Sequence, residues 1–136
     1  MEIFGVVNAS PDSLANFSVV SNEEEAKRYG AELLSRGADH LDVGAQASDG
    51  DAAFVTREQE WEIVEGPLKG LLSLGVEVSI DTWQVETARR ALDAGACVLN
   101  AADALQSEEM IELAASREVQ VCLLYTSDAA DDMQCV

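Results

Sequence analysis

The sequence predicts an α/β fold of parallel βα units, and two observations carry that prediction. Short β-branched or apolar runs alternate with longer segments of helical spacing, and three of those segments pass through a glycine straight into the next apolar run. Composition agrees: 48% hydrophobic and 25% charged residues in a chain of 136 suit one globular domain.

The elements follow in order. The first apolar run is Ile3 to Val7, and the first helix opens at Ser21, with Glu24 three residues on in capping-box spacing. Ala26, Tyr29, Leu33 and Leu34 share one side of that helix up to Gly37. After the second run, His40 to Val43, a helix opens at Thr56 with Gln59 in the same box arrangement. It lines up Trp61, Val64, Leu68, Leu71 and Leu72 before Gly75, and Pro67 implies a kink. The third run is Val76 to Ile80. The helix from about Gln84 to Ala94 carries Val85, Ala88, Ala91 and Leu92 and ends at Gly95. Cys97 to Leu99 is the fourth run, a helix starting near Ser107 carries Met110, Leu113 and Ala114, and Val119 to Leu123 is the fifth run. The order is βαβαβαβαβ.

Gly37, Gly75 and Gly95 suit the left-handed turn that ends a helix, so these tight junctions belong on the face away from chemistry. The stretches Ala9 to Val20 and Gly44 to Val55 are longer and rich in Ser, Asp, Asn and Ala. Long βα loops of that kind are where α/β scaffolds handle ligands.

Charge narrows the partners. With 26 Asp+Glu against 8 Lys+Arg, a formal charge of -18 repels nucleic-acid backbones and anionic membranes alike. No apolar run approaches the roughly 20 residues of a membrane span, and Glu2 stands where a signal peptide carries positive charge, so a cytoplasmic protein is expected. Cys97, Cys122 and Cys135 show no CxxC spacing, and reduced thiols are expected.

Asn8, Asp42, Asp81 and Asn100 stand at or just past the carboxyl ends of the first four runs. In parallel α/β architecture such side chains converge on one mouth. Each alone is commonly a helix cap or strand terminator, but four in four strands point to a shared site. An ionised Asp accepts two hydrogen bonds side by side and Asn both donates and accepts, which suits a neutral heterocycle whose edge offers several N–H donors. No Lys or Arg occupies these positions, so a phosphate here needs a metal ion or another part of the protein. The lone His40 reads as structural, Trp61 as core, and Trp83, next to the third mouth position, as either core or a stacking surface.

The motifs resemble those of dihydropteroate synthases. Asn8-Ala9-Ser10-Pro11-Asp12-Ser13 resembles N-V-T-P-D-S; Gly37-Ala38-Asp39-His40-Leu41-Asp42-Val43-Gly44 resembles G-A-D-x-x-D-V-G. Ser79-Ile80-Asp81-Thr82 resembles S-I-D-T, and Ala94-Gly95-Ala96-Cys97-Val98-Leu99-Asn100 resembles A-G-A-x-x-I-N, all in family order and spacing. The resemblance implies a pterin-binding TIM barrel, of which this chain holds the N-terminal part, about five βα units of the eight in a complete barrel. It also implies a transferase of folate biosynthesis that joins dihydropterin pyrophosphate to p-aminobenzoate with loss of diphosphate. By position, Asn8 would be the Mg2+ contact, Asp42, Asp81 and Asn100 would hold the pterin, and Asp81 would be catalytic, its charge stabilising the electron-poor methylene carbon. A homodimer is implied for the full-length protein.

The departures from the family are local. Ala15-Asn16-Phe17-Ser18 replaces S-D-G-G, Ala45-Gln46-Ala47-Ser48-Asp49-Gly50-Asp51 replaces G-E-S-T-R-P-G, and Ala101 follows Asn100 where the family has Asp. Those two loops shape the aminobenzoate and diphosphate sites in the family, so the alternatives are a non-catalytic pterin-binding paralogue or a methyltetrahydrofolate-binding methyltransferase domain. As domains, residues 1–121 read as a partial pterin-binding barrel that is inactive as a fragment, with unpaired sheet edges. Residues 122–136, beginning CLLYTSDAAD, read as a non-native tail from read-through into a sequencing adapter.

Overall fold

The computed structural model of the chain describes residues 1–10, 19–45, 56–101, 107–124 and 133–135. Its strands are β1 (Phe4–Ala9), β2 (Val19–Val20), β3 (His40–Gly44), β4 (Val78–Asp81), β5 (Val98–Ala101), β6 (Gln120–Leu124) and β7 (Met133–Cys135). The helices are α1 (Glu23–Ser35), α2 (Arg57–Leu72), α3 (Val85–Ala94) and α4 (Glu108–Arg117). One sheet runs β2-β1-β3-β4-β5-β6-β7, parallel throughout except for the β6–β7 pair.

The helices connecting the parallel strands pack in chain order, α1 on α2, α2 on α3 and α3 on α4. The strands alternate accordingly. Val7, Leu41, Val43, Val78, Ile80 and Leu99 point into that layer and are fully buried with Val64, Leu68 and Leu71 of α2 and Met110 of α4. The opposite face carries Val6, which is 54% exposed, and Asn8 on β1, followed across the sheet by Asp42, Ser79, Asp81 and Asn100.

Most element ends obey the sequence. Thr56 and Gln59 form the expected box, with Gln59 N donating to Thr56 Oγ1 at 3.3 Å and Thr56 N to Gln59 Oε1 at 3.2 Å. At α1 the cap moves by one residue: Asn22 Oδ1, not the Ser21 hydroxyl, accepts from Glu25 N at 2.9 Å. The reciprocal carboxylate is then Glu25, which turns back to accept from Ser21 N at 2.8 Å and Ser21 Oγ at 3.0 Å. Either residue type caps well, and the start at Asn22 still leaves Ala26 on the buried side. Helix α2 runs on through Pro67 to Leu72.

Three helix-to-strand junctions use the expected glycines, all at positive φ, whereas the fourth places Glu118 in the left-handed region at φ 51°. Close packing explains another glycine. A Cβ on Gly70 of α2 would stand 2.2 Å from the Glu23 carbonyl oxygen, so α1 and α2 cross with backbone nearly against backbone.

Two short strands were not anticipated. β2 lies on the outer edge of β1 (Asn8↔Val19, Ala9↔Val20), and β7 runs antiparallel on β6, so the flanks of β1 and β6 expected to be bare are paired. β6 continues from Val121 into Cys122–Leu124 and pairs with Asn100 and Ala101 of β5. Cys122, expected as a reduced thiol, is disulfide-bonded and stands opposite Cys135 in the β6–β7 ladder, while Cys97 is free. Among the described residues no helix is long and apolar enough to cross a membrane.

Candidate functional site

The parallel register builds the site. Asn8 on β1, Gly44 on β3, Asp81 on β4 and Asn100 on β5 are successive partners, so they form one row at the carboxyl end of the sheet. Asp42 is not in that row. β3 continues to Gly44, and Asp42 lies two residues deeper, opposite Ser79 and Val6. Of the four mouth residues expected from sequence, Asp42, Asp81 and Asn100 come together. Asn8 shares their face but is exposed and lies two strands from Asp81, about 10 Å at the usual inter-strand spacing.

Asp42 is 5% exposed. Its two carboxylate oxygens each stand 3.4 Å from Asn100 Nδ2, which reaches across β4 to them. Burial pushes the Asp42 carboxyl above its ordinary range, while the Asn100 amide and the buried Ser79 hydroxyl, which is close by but short of hydrogen-bond geometry, pull the other way.

Asp81 is partly exposed above them. Burial first, then the negative charges of Asp42 and Glu60, push its carboxyl up to about 7. Near neutral pH it therefore exists both as a hydrogen-bond donor and as an acceptor. Gly44 makes room for it: a Cβ there would lie 3.0 Å from the Asp81 carbonyl oxygen and 3.1 Å from its Cβ.

Sequence reasoning passed over Glu60. It is 1% exposed on α2 and accepts hydrogen bonds from the Thr82 hydroxyl and the Gln84 side-chain amide, just past Asp81. Burial raises its carboxyl and those two donors lower it. In the sequence Glu60 falls on the i, i+4, i+8 line with Val64 and Leu68, off which the other acidic residues of the helix lie, but nothing local marks its partners.

The remaining candidates sort by position. His40 is at the amino end of β3, its ring tilted against Phe4 (5.0 Å between ring centres) and flanked by Glu77 at 3.4 Å and Glu2 at 3.6 Å, at the opposite end of the sheet from Asp81. Trp61 is only partly buried, with Arg90 5.8 Å from its ring centre. Trp83 is 48% exposed, two residues beyond Asp81. Among the described residues no group of three or more His, Cys, Asp or Glu is arranged to hold a metal ion. The exposed Asn8 offers one hard carboxamide oxygen, which fits an ion such as Mg2+ that takes most of its ligands from phosphate and water. The loop departures at 15–18 and 46–51 lie outside the described residues.

A cluster of this make-up presents alternating acceptors and donors in a low-dielectric floor and can read the edge of a polar, uncharged ring. Comparison with known proteins gives the same direction. The family model described as pterin binding enzyme matches residues 4–136. The chain is 34% identical over 136 residues to dihydropteroate synthase of Neisseria meningitidis serogroup C, covering 98% of this chain and 48% of that protein. It is 34% identical over 125 residues to the Streptococcus pyogenes dihydropteroate synthase, covering 90% and 47%. Among solved structures, Xanthomonas albilineans dihydropteroate synthase with 4-aminobenzoic acid superposes with TM-score 0.80 at 30% identity, covering 96% of this chain and 49% of that one. The Anaplasma phagocytophilum enzyme with bound 6-hydroxymethylpterin-monophosphate gives TM-score 0.74 at 29% identity, covering 88% and 44%. The chain thus spans about half the length of these relatives, and the six parallel strands of its sheet correspond to part of their TIM barrel.

Proposed function

Because the chain belongs to the pterin-binding enzyme family, we propose that Asp42, Asp81 and Asn100 bind the edge of a reduced pterin and that the protein serves dihydropteroate synthesis. One observation carries the reading: the Asn100 amide reaching both oxygens of buried Asp42, with the Asp81 carboxyl beside them. A pterin edge offers ring and exocyclic N–H donors together with acceptors, and this trio can match both.

In the proposed reaction the nitrogen of p-aminobenzoate bonds to the pterin methylene carbon. The C–O bond to diphosphate breaks, and the amine releases a proton. Asp81 holds the ring and, when ionised, lays negative charge beside a methylene carbon that becomes electron-poor. Asn8 would hold Mg2+, whose chemistry here is to neutralise the departing diphosphate. Asp42 and Asn100 fix the ring so that amine and methylene meet in line. The site residues all come from 1–121, and residues 122–136 are read as adapter-encoded. A cytoplasmic location and a homodimer belong to the same reading.

A second reading, a non-catalytic pterin-binding paralogue, is favoured by the altered sequences at 15–18 and 45–51, where the family's Arg is absent. The inactivity expected of this chain by itself accords with either. Titration of a completed, full-length version of the protein with dihydropterin pyrophosphate, with and without Mg2+, followed by p-aminobenzoate, separates them. Binding with product release establishes synthase activity, binding without product leaves the paralogue, and no binding defeats both.

A further inference from the structure

The turn that follows Asp81 is fastened on three sides. Thr82 N donates to the Asn100 carbonyl at 3.4 Å, tying the turn to β5. Thr82 Oγ1 accepts from Gln84 N at 3.0 Å, closing the turn on itself just where Gln84, the N-cap of α3, makes no side-chain cap of its own. The third tie is Glu60 of α2, whose two carboxylate oxygens take the Thr82 hydroxyl and the Gln84 amide, one each. Glu60, Thr82 and Gln84 are all buried, so these bonds form out of competition with water.

A carboxylate is an expensive residue for a purely mechanical clamp. Burying an ion costs more than burying its neutral isostere, and a glutamine at 60 could accept from Thr82 equally well while Gln84 turned its amide to match. What glutamine lacks is charge. We infer that Glu60 is a positioning residue for this site, an anion that locks the Thr82–Gln84 turn against α2 and sets a fixed negative charge behind the Asp81 carboxyl.

The inference rests on Asp81 being the pterin-facing carboxyl, and it adds a residue outside that contact set. Its consequence is that Asp81 keeps a proton to higher pH than burial alone would give, so the same group can donate as well as accept. Among the described residues the charged surroundings of Asp81 are few. Asp42 on β3 and Glu60 on α2 act on it; β5 presents Asn100 and β1 Asn8, which do not titrate; and the nearest acid of α3, Glu86, is paired with Arg90 at 2.8 Å and Arg89 at 3.5 Å.

The test is a carboxyl 13C titration of Asp81 in the 136-residue chain without pterin, so a chain that binds no pterin can still pass and one that binds it can still fail. In Glu60→Gln the Asp81 midpoint should fall by about half a unit or more, with the amide spectrum of the fold retained. The double exchange Glu60→Gln with Gln84→Glu returns a carboxylate–amide pair to the same place and should restore the midpoint. A folded Glu60→Gln chain with an unchanged Asp81 midpoint overturns the inference. Should Glu60→Gln alone not fold, the double exchange decides: a folded chain with a wild-type midpoint supports it, and an unfolded chain or a displaced midpoint overturns it.

Discussion

Asn100 Nδ2 stands 3.4 Å from both carboxylate oxygens of Asp42, spanning the intervening strand β4. One amide thus serves a carboxylate that is 5% exposed and carries no cationic partner among the described residues. Removing it leaves buried negative charge with less support. Asn100→Ala should therefore destabilise the fold by about 1–2 kcal/mol, read from urea denaturation, and Asp42→Asn introduced on top should recover part of that loss.

The same site gives an affinity prediction. Asp81→Asn removes a group that can both accept and donate toward a pterin edge and should weaken pterin binding at least about tenfold by calorimetry. His40→Gln, at the opposite end of the sheet, should stay within about twofold. Equal losses would remove Asp81 from the binding site.

Stability should depend on pH through Asp81. Its carboxyl is raised from 3.8 to about 7 on folding, so between those values the folded chain keeps a proton that the unfolded chain releases. The stabilisation is complete below the unfolded value and is lost as pH rises through the folded one. Asp42 and Glu60, raised in the same direction, add to the trend. Wild type should lose stability from about pH 4 to about pH 7, and Asp81→Asn should flatten that slope and be the more stable of the two at the upper end. A wild-type profile that rises over this interval, with no change on substitution, would contradict the assignment.

Two backbone positions test the scaffold. Gly70→Ala should cost about 1–3 kcal/mol, because its Cβ would meet the Glu23 carbonyl oxygen at 2.2 Å. Glu118→Gly should stabilise by about 0.5–1 kcal/mol, relieving a left-handed residue at φ 51° at some cost in unfolded-chain entropy. Thermal melts of the two variants should move in opposite directions.

Much of this was legible in the sequence because the signals were periodic or stereochemical. The capping box at Thr56–Gln59 and the glycine junctions at 37, 75 and 95 depend on local geometry, and each appears where the residues place it. The mouth residues were legible as a set but not as a depth order. Strand ends are marked by pairing with neighbours rather than by the chain itself, so the extension of β3 to Gly44, which sinks Asp42 below the row of Asp81 and Asn100, could not be read locally. The α1 start slipped by one because Ser21 and Asn22 are both competent caps and each has an acid three residues on. β2 and β7 were invisible because a two-residue and a three-residue strand are too short for any period. Glu60 was passed over for another reason: an acid on an apolar stripe becomes informative only once the partners that make it tolerable, Thr82 and Gln84, are seen on a different element.

The most direct test of the account is a 1H–15N chemical-shift map of the chain titrated with 6-hydroxymethyl-dihydropterin. Perturbations should concentrate at the carboxyl ends of β3, β4 and β5, around Asp42, Gly44, Asp81 and Asn100, with His40 and Glu77 unmoved. Perturbations centred on the amino ends of those strands, or none at pterin saturation of a full-length relative, would contradict it.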